Sequence, residues 1–377
     1  MEKLALNPRT NASFWRGRRV LVTGHTGFKG AWLTLWLHRL GAAITGIALP
    51  PEKSPNLFAE ADIAALCTSE FCDIRDAQAL GARIDAARPE IVFHLAAQPL
   101  VRASYRAPLD TFATNTMGTV HVLEALRRVE SLRAAVMVTT DKVYRNRETL
   151  RPYVEDDPLG GYDPYSASKA ASEIVIASYR DSFLAERNVA LASVRSGNVI
   201  GGGDWSEDRI VPDAIRAWQE SGTLTVRRPD AVRPWQHVLE PVAGYMMLAE
   251  RLWTKASPPE AYNFGPSETG AVSVRELMDM AIQAYGVGRV RYDEVATGPH
   301  EAGLLTLDAN KAEAALGVTP ALTLAEAVAR TMAWYRAHKL GGDARDLCLA
   351  DIAYFEHRMA IRAEVPAAAA DGRQRAG

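Results

Sequence analysis

The sequence has little cysteine, no long apolar run and almost no net charge. Its three cysteines, Cys67, Cys72 and Cys348, form neither a CxxC pair nor a Cys/His ligand spacing. This scarcity argues against a disulfide framework or a zinc site and fits a reducing compartment. No apolar stretch reaches the roughly 18 residues of a membrane-spanning helix. The first residues also lack the continuous apolar segment of a secretory signal, so we predict a cytoplasmic protein without a membrane partner.

The charge balance is close to neutral. There are 43 lysines and arginines against 45 acidic residues, which gives a formal net charge of -2. Such a balance gives no reason to expect nucleic acid as a partner, so any phosphate-binding site must be local. The length of 377 residues and an apolar fraction of 48% are sufficient for two domains with a sizeable core.

Short apolar runs alternate with longer amphipathic segments over the first half of the chain. We predict strands at 18–23, 43–49, 70–74, 91–97, 134–140 and 189–196, with helices at 28–40, 76–87, 109–129 and 164–186 between them. Strands that alternate with helices of this length require crossover connections, which indicates a parallel sheet with helices on both faces.

The pattern changes after Gly201, where prolines are frequent and the elements become shorter. We predict helices at 211–220, 241–253, 274–285, 322–338 and 343–359. The predicted division is a dinucleotide-binding domain at 14–200 with parts of 235–265, and a smaller domain at 201–340. Residues 1–12 and 362–377 are predicted to be flexible tails, the latter because of its low-complexity composition.

Three glycines, Gly24, Gly27 and Gly30, lie between the first predicted strand and the first predicted helix. Glycines at this point permit a tight turn and a close approach of the backbone to a pyrophosphate at the helix start. The second predicted strand ends at Ala48-Leu49-Pro50, with neither the acid expected to hold an NAD ribose nor an arginine for a 2′-phosphate. The choice between NAD and NADP therefore stays open.

Tyr165 and Lys169 are four residues apart in the predicted 164–186 helix, so they share a face. A nearby ammonium favours the ionised form of a phenol, which predicts a lowered pKa for Tyr165 and a role as a base. This spacing alone more often marks a half-exposed helix face. Asp141 and Lys142 directly follow the predicted 134–140 strand, at the edge where parallel sheets place their active sites.

Many further segments carry a family resemblance that spans roughly residues 14–340. These segments are TGHTGFKG (23–30), CDIRD (72–76), HLAAQPLVRASY (94–105), NTMGTVHVLEA (115–125), TTDKVY (139–144), GGYDPYSASK (160–169), SVRSGNVIGGGDW (193–205), VRPWQHVLEP (232–241), YNFGPS (262–267) and PHEAGLLTLDANKA (299–312). Together they resemble the CDP-glucose 4,6-dehydratases among the extended short-chain dehydrogenase/reductases. The resemblance implies a Rossmann-like, doubly wound parallel α/β sheet with a smaller C-terminal α/β substrate-binding domain.

The resemblance also implies a set of site residues and their roles. The implied catalytic residues are Thr140, Asp141, Lys142, Tyr165 and Lys169. The implied cofactor-binding residues are Gly24, His25, Gly27, Phe28, Gly30, Asp73, Ile74, Leu95, Ala96, Ala97 and Asn115, with Tyr165 and Lys169. The implied substrate-binding residues are Gln98, Asn198, Arg209, Arg233, Asn263 and His300. The implied cofactor is NAD, no metal is implied, and the expected partners are a CDP-hexose and further copies of the chain, as a homodimer or higher homo-oligomer.

The implied reaction removes water without net redox change. Tyr165 would deprotonate the hydroxyl at sugar carbon 4 while NAD takes the hydride, and the resulting ketone acidifies the proton on carbon 5. Asp141 as the acid would have to be protonated, and Lys142 as the base would have to be neutral. The dTDP-glucose and GDP-mannose dehydratases have Asp-Glu where this chain has Asp-Lys. Two alternatives stay open: an NAD-dependent sugar-nucleotide 4-epimerase, which needs no such pair, and a non-catalytic dinucleotide sensor.

Overall fold

The computed structural model describes residues 11–220, 222–255, 257–266, 271–293 and 303–364. The strands are β1 (Arg19–Thr23), β2 (Ala43–Ala48), β3 (Thr68–Phe71), β4 (Ile91–His94), β5 (Ala134–Val138), β6 (Ala190–Ser196), β7 (Val199–Ile200), β8 (Leu224–Val226), β9 (Val232–Pro234), β10 (Gln236–His237), β11 (Ala261–Phe264), β12 (Ala271–Ser273) and β13 (Val290–Tyr292).

The α-helices are α1 (Ala12–Trp15), α2 (Phe28–Arg39), α3 (Leu57–Glu60), α4 (Ala77–Ala87), α5 (Val101–Arg106), α6 (Pro108–Phe112), α7 (Gly118–Leu126), α8 (Pro164–Tyr179), α9 (Ile210–Gln219), α10 (Leu239–Trp253), α11 (Val274–Tyr285), α12 (Asn310–Leu316), α13 (Leu324–Lys339) and α14 (Ala344–Glu364). Short 3-10 helices cover Ile63–Leu66 and Asp141–Val143, and π-helical turns cover Ala113–Met117 and Arg180–Leu184. Within the described ranges, no helix is both long enough and apolar enough to cross a membrane.

Seven of the described strands form one parallel sheet in the order β11-β6-β5-β4-β1-β2-β3. The order reverses beside β1, because the chain builds β1 to β3 on one side and β4 to β6 on the other. The prediction of a doubly wound parallel sheet is confirmed. The outermost strand, β11, comes from the second half of the chain and pairs with β6.

The sheet is apolar on both faces because helices cover both. On one face α2 and α10 contribute Trp36 and Met246 to a core that includes Phe93. On the other face α4 and α7 contribute Ile84 and Leu126 to a second core. Helix α2 has apolar residues on nearly every side, and its residues from Gly30 to Leu37 are buried, since it lies between the sheet and the C-terminal helices.

Two predicted helices are interrupted and one predicted strand is displaced. The predicted 109–129 helix is α6, a π-helical turn and α7, and the predicted 164–186 helix is α8 followed by a π-helical turn. The third strand is Thr68–Phe71, so Asp73 and Ile74 follow it at the carboxyl edge of the sheet. The displacement matters because it brings these two residues to the edge where ligands bind in such sheets.

Candidate active site

A cavity of about 1100 Å³ opens at the carboxyl edge of the parallel sheet. Its walls come from the turns after β1, β4, β5 and β6 on one side and from the segment around β8 and β9 on the other. Ligands of doubly wound sheets bind at this edge, beside the point where the strand order reverses.

The glycine turn forms one end of this cavity. Gly24 has φ +80°, and a Cβ built on it would lie 2.7 Å from the Ala96 backbone nitrogen. A Cβ on Gly30 would lie only 2.0 Å from the Gly24 carbonyl oxygen. No side chain caps the N-terminus of α2, so its first backbone N–H groups are free to bind phosphate. The cradle therefore fits the pyrophosphate of a dinucleotide.

Most of the residues predicted to bind the cofactor line this cavity. They are Gly24, Gly27, Phe28, Gly30, Asp73, Ile74, Leu95, Ala96 and Ala97, together with Tyr165 and Lys169. Asp73 accepts hydrogen bonds from the backbone and the guanidinium of Arg75, and these bonds hold the pKa of its carboxyl below the usual range.

His25 and Asn115 are not among the residues that line the cavity, and their roles as cofactor contacts stay predictions. The His25 side chain is buried behind the glycine turn, where it bonds Ser69 Oγ at 2.7 Å and meets the edge of Phe58. Burial lowers the pKa of His25 to about 4. The Asn115 side chain accepts from the Gln98 backbone N–H and donates to the Gln98 carbonyl oxygen and to Ser168 Oγ, the last at 2.9 Å. It therefore fixes the segment after β4 against α8.

The five predicted catalytic residues all line the cavity. Thr140 precedes the 3-10 turn Asp141–Val143 after β5, and its hydroxyl donates to Asp141 Oδ1 at 2.9 Å. Helix α8 begins at Pro164 with Asp163 as its N-cap, which places Tyr165 in the first turn, facing Thr140. Lys169 follows one turn later on the same face.

The predicted lowering of the Tyr165 pKa is wrong in the ligand-free site. Burial raises the pKa of Tyr165 to about 12, against a lowering effect from its hydrogen bond to Thr140, and the charge of Asp141 raises it further. Lys169 does not offset this, because its ammonium donates to the Val138 carbonyl oxygen at 3.0 Å. Burial also lowers the pKa of Lys169 to about 8.

Asp141 and Lys142 form a salt bridge inside the cavity. The Lys142 ammonium donates to Asp141 Oδ1 at 3.1 Å, and the Asp141 side chain is only 1% exposed against 29% for Lys142. The other carboxylate oxygen, Asp141 Oδ2, is buried and has no hydrogen-bond partner among the described residues. This oxygen is therefore an unsatisfied acceptor enclosed in the wall of the cavity.

Three of the residues predicted to bind substrate line the same cavity: Asn198, Arg209 and Arg233. Asn198 Oδ1 is buried without a hydrogen-bond partner in the described part of the chain. The Arg209 guanidinium donates to Asp204 Oδ2 at 2.9 Å, which holds it against the cavity wall. His300 lies outside the described residues.

Gln98 and Asn263 are not among the residues that line the cavity, and their roles as substrate contacts stay predictions. The Gln98 side-chain amide donates through Nε2 to Thr111 Oγ1 at 3.0 Å, and its Oε1 accepts from the Leu100 backbone N–H at 2.6 Å. Asn263 on β11 is fully buried: it accepts from the Tyr144 hydroxyl at 2.6 Å and donates to the Tyr153 carbonyl oxygen at 2.9 Å. Its amide joins the sheet to the segment after β5, and both of its N–H donors are used, by the carbonyl oxygens of Tyr153 and Asp308.

Lys29, in the first turn of α2, is a cavity residue that sequence reasoning missed. Its ammonium donates to Ser196 Oγ at 2.9 Å and approaches the Tyr245 hydroxyl at 3.5 Å. Burial lowers the pKa of Lys29 to about 7, and the positive charge of Arg209 lowers it further. The sequence feature that could have identified Lys29 is its position in the first turn of a helix. The helix dipole disfavours a positive charge there unless tertiary contacts stabilise that charge.

Comparisons with known proteins give the family. The family model described as GDP-mannose 4,6 dehydratase matches residues 21–331. The chain is 46% identical over 337 residues to a CDP-glucose 4,6-dehydratase of Salmonella typhimurium, covering 88% of this chain and 94% of that protein. Among solved structures, a UDP-glucose 4-epimerase of Thermotoga maritima aligns with a TM-score of 0.75 at 21% identity, over 85% of this chain and 99% of the other.

A dTDP-glucose 4,6-dehydratase of Bacillus anthracis in complex with NAD aligns with a TM-score of 0.72 at 21% identity, over 86% of this chain and 98% of the other. At these identities the two structural matches establish the fold, which epimerases and dehydratases share. The family match and the sequence identity to the Salmonella protein go further. The chain belongs to the GDP-mannose 4,6 dehydratase family of extended short-chain dehydrogenase/reductases.

Proposed function

We propose that the chain is a sugar-nucleotide 4,6-dehydratase that converts CDP-D-glucose to CDP-4-dehydro-6-deoxy-D-glucose, a precursor of deoxysugars. The observation that carries this proposal is the Asp141–Lys142 pair in the same cavity as Tyr165 and Lys169. A phenol and a lysine suffice for moving a hydride. Loss of water needs a further acid and base, and the pair supplies both.

The cofactor is NAD, which accepts the hydride from carbon 4 and returns it to carbon 6. The uncapped N-terminus of α2 and the close-packed Gly24 and Gly30 would hold its pyrophosphate. Asp73 and Ile74 would flank its adenine, and Ala96 and Ala97 would line the cleft beside it.

The roles of the chain's own groups follow from their positions. Tyr165 takes the hydroxyl proton of carbon 4, and Lys169 holds Tyr165 in place. Lys142, as a free amine, takes the proton of carbon 5. Asp141, as the neutral acid, protonates the departing hydroxyl of carbon 6. The unpartnered Asp141 Oδ2 supports this last assignment, because a substrate hydroxyl would satisfy it.

The substrate diphosphate would lie toward Arg209 and Arg233, with Asn198 beside it. All three line the cavity on the side of the second domain. Guanidinium groups suit a diphosphate because they bind its oxygens in a bidentate manner. Selection of the cytosine base would come from the same side of the cavity.

Two other functions fit less well. A 4-epimerase shares the fold but has no use for Asp141 and Lys142 at the reacting sugar. A dinucleotide sensor without activity has no use for either these residues or Tyr165 and Lys169, all of which line the cavity.

We further propose a cytoplasmic homodimer with residues 14–200 and parts of 235–265 as the cofactor domain and 201–340 as the substrate domain. The cysteines are unpaired thiols, as a reducing compartment allows. Apolar side chains are exposed on α6, the following π-helical turn and α8: Leu109 is 85%, Met117 47% and Ile174 63% exposed. Helices α6 and α8 pack against each other, so these exposed side chains lie on one continuous surface. The same surface of a second copy would bury the apolar side chains.

The test is turnover of CDP-, dTDP-, GDP- and UDP-glucose by the purified protein, measured as the ultraviolet absorbance of the ketosugar in alkali. The proposal predicts a 4-keto-6-deoxy product with a preference for CDP-glucose. Formation of CDP-galactose without a ketosugar would favour the epimerase, and no reaction with any of the four would favour the sensor.

A further inference from the structure

A buried ion pair lies beside the cavity and takes part in no step of the proposed reaction. Its members are Glu173 on α8 and Arg195 on β6, with 2.9 Å between Oε2 and Nη2. Their side chains are only 3% and 5% exposed. A buried ion pair adds little to stability, because taking both charges out of water offsets their attraction. Stability alone is therefore a poor explanation for this pair.

Glu173 belongs to the face of α8 that carries two of the predicted catalytic residues. Tyr165, Lys169 and Glu173 follow one another at intervals of four residues, so they lie on the same side of the helix. The Lys169 ammonium donates to the Val138 carbonyl oxygen at 3.0 Å. Glu173 extends this row of contacts by one residue, because its Oε1 accepts from the Thr139 hydroxyl. This face of α8 is therefore joined to the end of β5.

Arg195 extends the connection to the segment that follows the Asp141–Val143 turn. Its Nη1 donates to the Tyr144 hydroxyl at 2.9 Å, and its guanidinium lies 5.0 Å from the centre of the Tyr144 ring. The Tyr144 hydroxyl in turn donates to Asn263 Oδ1 at 2.6 Å. Tyr144 is only 1% exposed, so these two bonds fix the position of its side chain.

The turn itself has little internal support. It is a single 3-10 turn, Asp141–Val143, and the bond from the Val143 N–H to the Thr140 carbonyl oxygen is long, at 3.4 Å. Hydrogen bonds in 3-10 turns also have poorer geometry than those in α-helices. The positions of Asp141 and Lys142 therefore depend on how the two ends of the turn are held.

Both ends of this turn are bonded to the ion pair. Thr139 lies two residues before Asp141, and Tyr144 lies two residues after Lys142. Thr139 donates to the carboxylate of the pair, and Tyr144 accepts from its guanidinium. Because the carboxylate belongs to α8, the pair fixes the turn relative to the helix that carries Tyr165.

We propose that the Glu173–Arg195 pair positions the Asp141–Lys142 segment against Tyr165, so that the groups for elimination face the same sugar as those for hydride transfer. The inference rests on the proposed dehydratase function and adds positioning residues to it. These residues are the pair itself, Thr139 and Tyr144, which act through geometry and not by contact with the reacting atoms.

This arrangement predicts that the two halves of the reaction can be separated. Removal of the hydride from carbon 4 depends on Tyr165 and Lys169, which α8 carries by itself. Loss of water needs the turn at its correct distance from the sugar as well. A displacement of about 1 Å is enough to slow a reaction about 100-fold. A weakened anchor should therefore slow the elimination and leave the oxidation nearly intact.

The first experiment uses Tyr144→Phe, which keeps the ring and removes the hydroxyl bonded to Arg195 and Asn263. Oxidation is followed in a single turnover of CDP-6-deoxy-D-glucose, which has no hydroxyl at carbon 6 to lose, by the near-ultraviolet absorbance of the nicotinamide. Complete turnover of CDP-glucose is followed by the absorbance of the ketosugar in alkali. We expect turnover to fall about tenfold or more while oxidation stays within about threefold of the parent rate. Reduced nicotinamide should then accumulate with CDP-glucose.

Tyr262→Phe is the matched control. Tyr262 is also a buried tyrosine that donates one hydrogen bond, to the Pro258 carbonyl oxygen at 2.8 Å, and it is not among the residues that line the cavity. Its side chain lies on the opposite face of β11 from that of Asn263, because side chains alternate along a strand. This variant also loses a buried hydroxyl, and it should leave both rates unchanged.

Thr139 gives a second test at the other end of the turn. Thr139→Val removes the hydroxyl that donates to Glu173, and Thr139→Ser keeps it. The valine variant should show the same selective loss as Tyr144→Phe. The serine variant should regain turnover to within about threefold of the parent rate, because the bond to the carboxylate is restored.

The outcomes separate the positioning role from the proposed function. In Tyr144→Phe, a loss of oxidation as large as the loss of turnover would overturn the positioning role, since general damage explains that result. Parent-like rates in both assays, or equal losses in Thr139→Ser and Thr139→Val, would overturn it as well. Each of these results leaves the dehydratase function standing, whereas a parent protein that does not dehydrate CDP-glucose would overturn the function itself.

Discussion

Four cationic side chains of the cavity lining lie close to one another and to Asp141. Lys29, Lys142, Lys169 and Arg209 come from four different parts of the chain, and Asp141 is the acid among them. The cavity lining as a whole has nine lysines and arginines against seven acidic residues, a small positive excess although the whole chain carries a net charge of -2. This concentration of charge suits two anionic ligands side by side, a dinucleotide and a sugar nucleotide.

Lys29 gives a prediction about stability. Its pKa is lowered from 10.5 to about 7 in the folded protein, so between these pH values the unfolded chain binds more protons and stability rises with pH. The free-energy cost of burying the charged Lys29 ammonium is fully present below about pH 7. Replacing Lys29 by Met should therefore stabilise the protein by on the order of 2 kcal/mol at pH 6. This stabilisation is smaller than the whole pKa shift would give, because the Lys29 side chain is partly exposed to solvent. The gain should shrink as pH approaches 10.

Urea unfolding of both proteins between pH 6 and pH 10 checks this prediction. Lys339→Met at the end of α13, where the lysine is exposed, controls for the loss of a charge and should show no such trend. A Lys29→Met variant whose stability difference from the parent stays constant across this range would contradict the titration assigned to Lys29.

The residues could be predicted in part from the sequence. Tyr165, Lys169, Asp141 and Lys142 follow from helix spacing and from the position after a strand. The direction of the Tyr165 pKa does not, because burial by tertiary packing outweighs the nearby charges. The roles of the buried amides of Gln98 and Asn263 depend on partners distant in sequence, which no local pattern reveals.

At the scale of elements, the turn between β1 and α2 determines whether a dinucleotide fits. Its geometry depends on the close approach of Gly30 to Gly24, where any side chain would collide. The sequence predicted this turn because glycine spacing between a strand and a helix is a local signal. It did not predict that β11 completes the sheet or that π-helical turns interrupt two helices, since both depend on contacts made later in the chain.

Gly30→Ala should weaken NAD binding while the fold persists. The added methyl group would lie 2.0 Å from the Gly24 carbonyl oxygen, so the turn must shift away from the position that cradles phosphate. Calorimetry should give an NAD affinity at least about tenfold weaker, equivalent to about 1.4 kcal/mol. Gly81→Ala in α4 is the matched control, because its methyl group meets only the flexible Arg128 side chain at 3.4 Å. Equal NAD affinities in the two variants would refute the assigned cradle.

For the whole molecule, the exposed apolar surface on α6 and α8 predicts self-association. An isolated chain would leave Leu109, Met117 and Ile174 in water, and burial of such side chains contributes about 25 cal/mol per Å². Ile174→Asp should therefore yield a monomer, measured by light scattering after size exclusion, since a buried carboxylate would have no partner. Val287→Asp changes an exposed apolar residue elsewhere and should leave the mass unchanged. A parent protein that is monomeric at micromolar concentration would contradict the proposed dimer.

The most direct measurement uses CDP-glucose with deuterium at carbon 4 and follows the label in the product by mass spectrometry and NMR. The proposed dehydratase reaction predicts that the label appears on carbon 6 of a 4-keto-6-deoxy sugar, because the hydride removed from carbon 4 returns within the same cavity after water has left. A label that returns to carbon 4 in an epimerised sugar, or a product with no label on carbon 6, would contradict the proposed reaction.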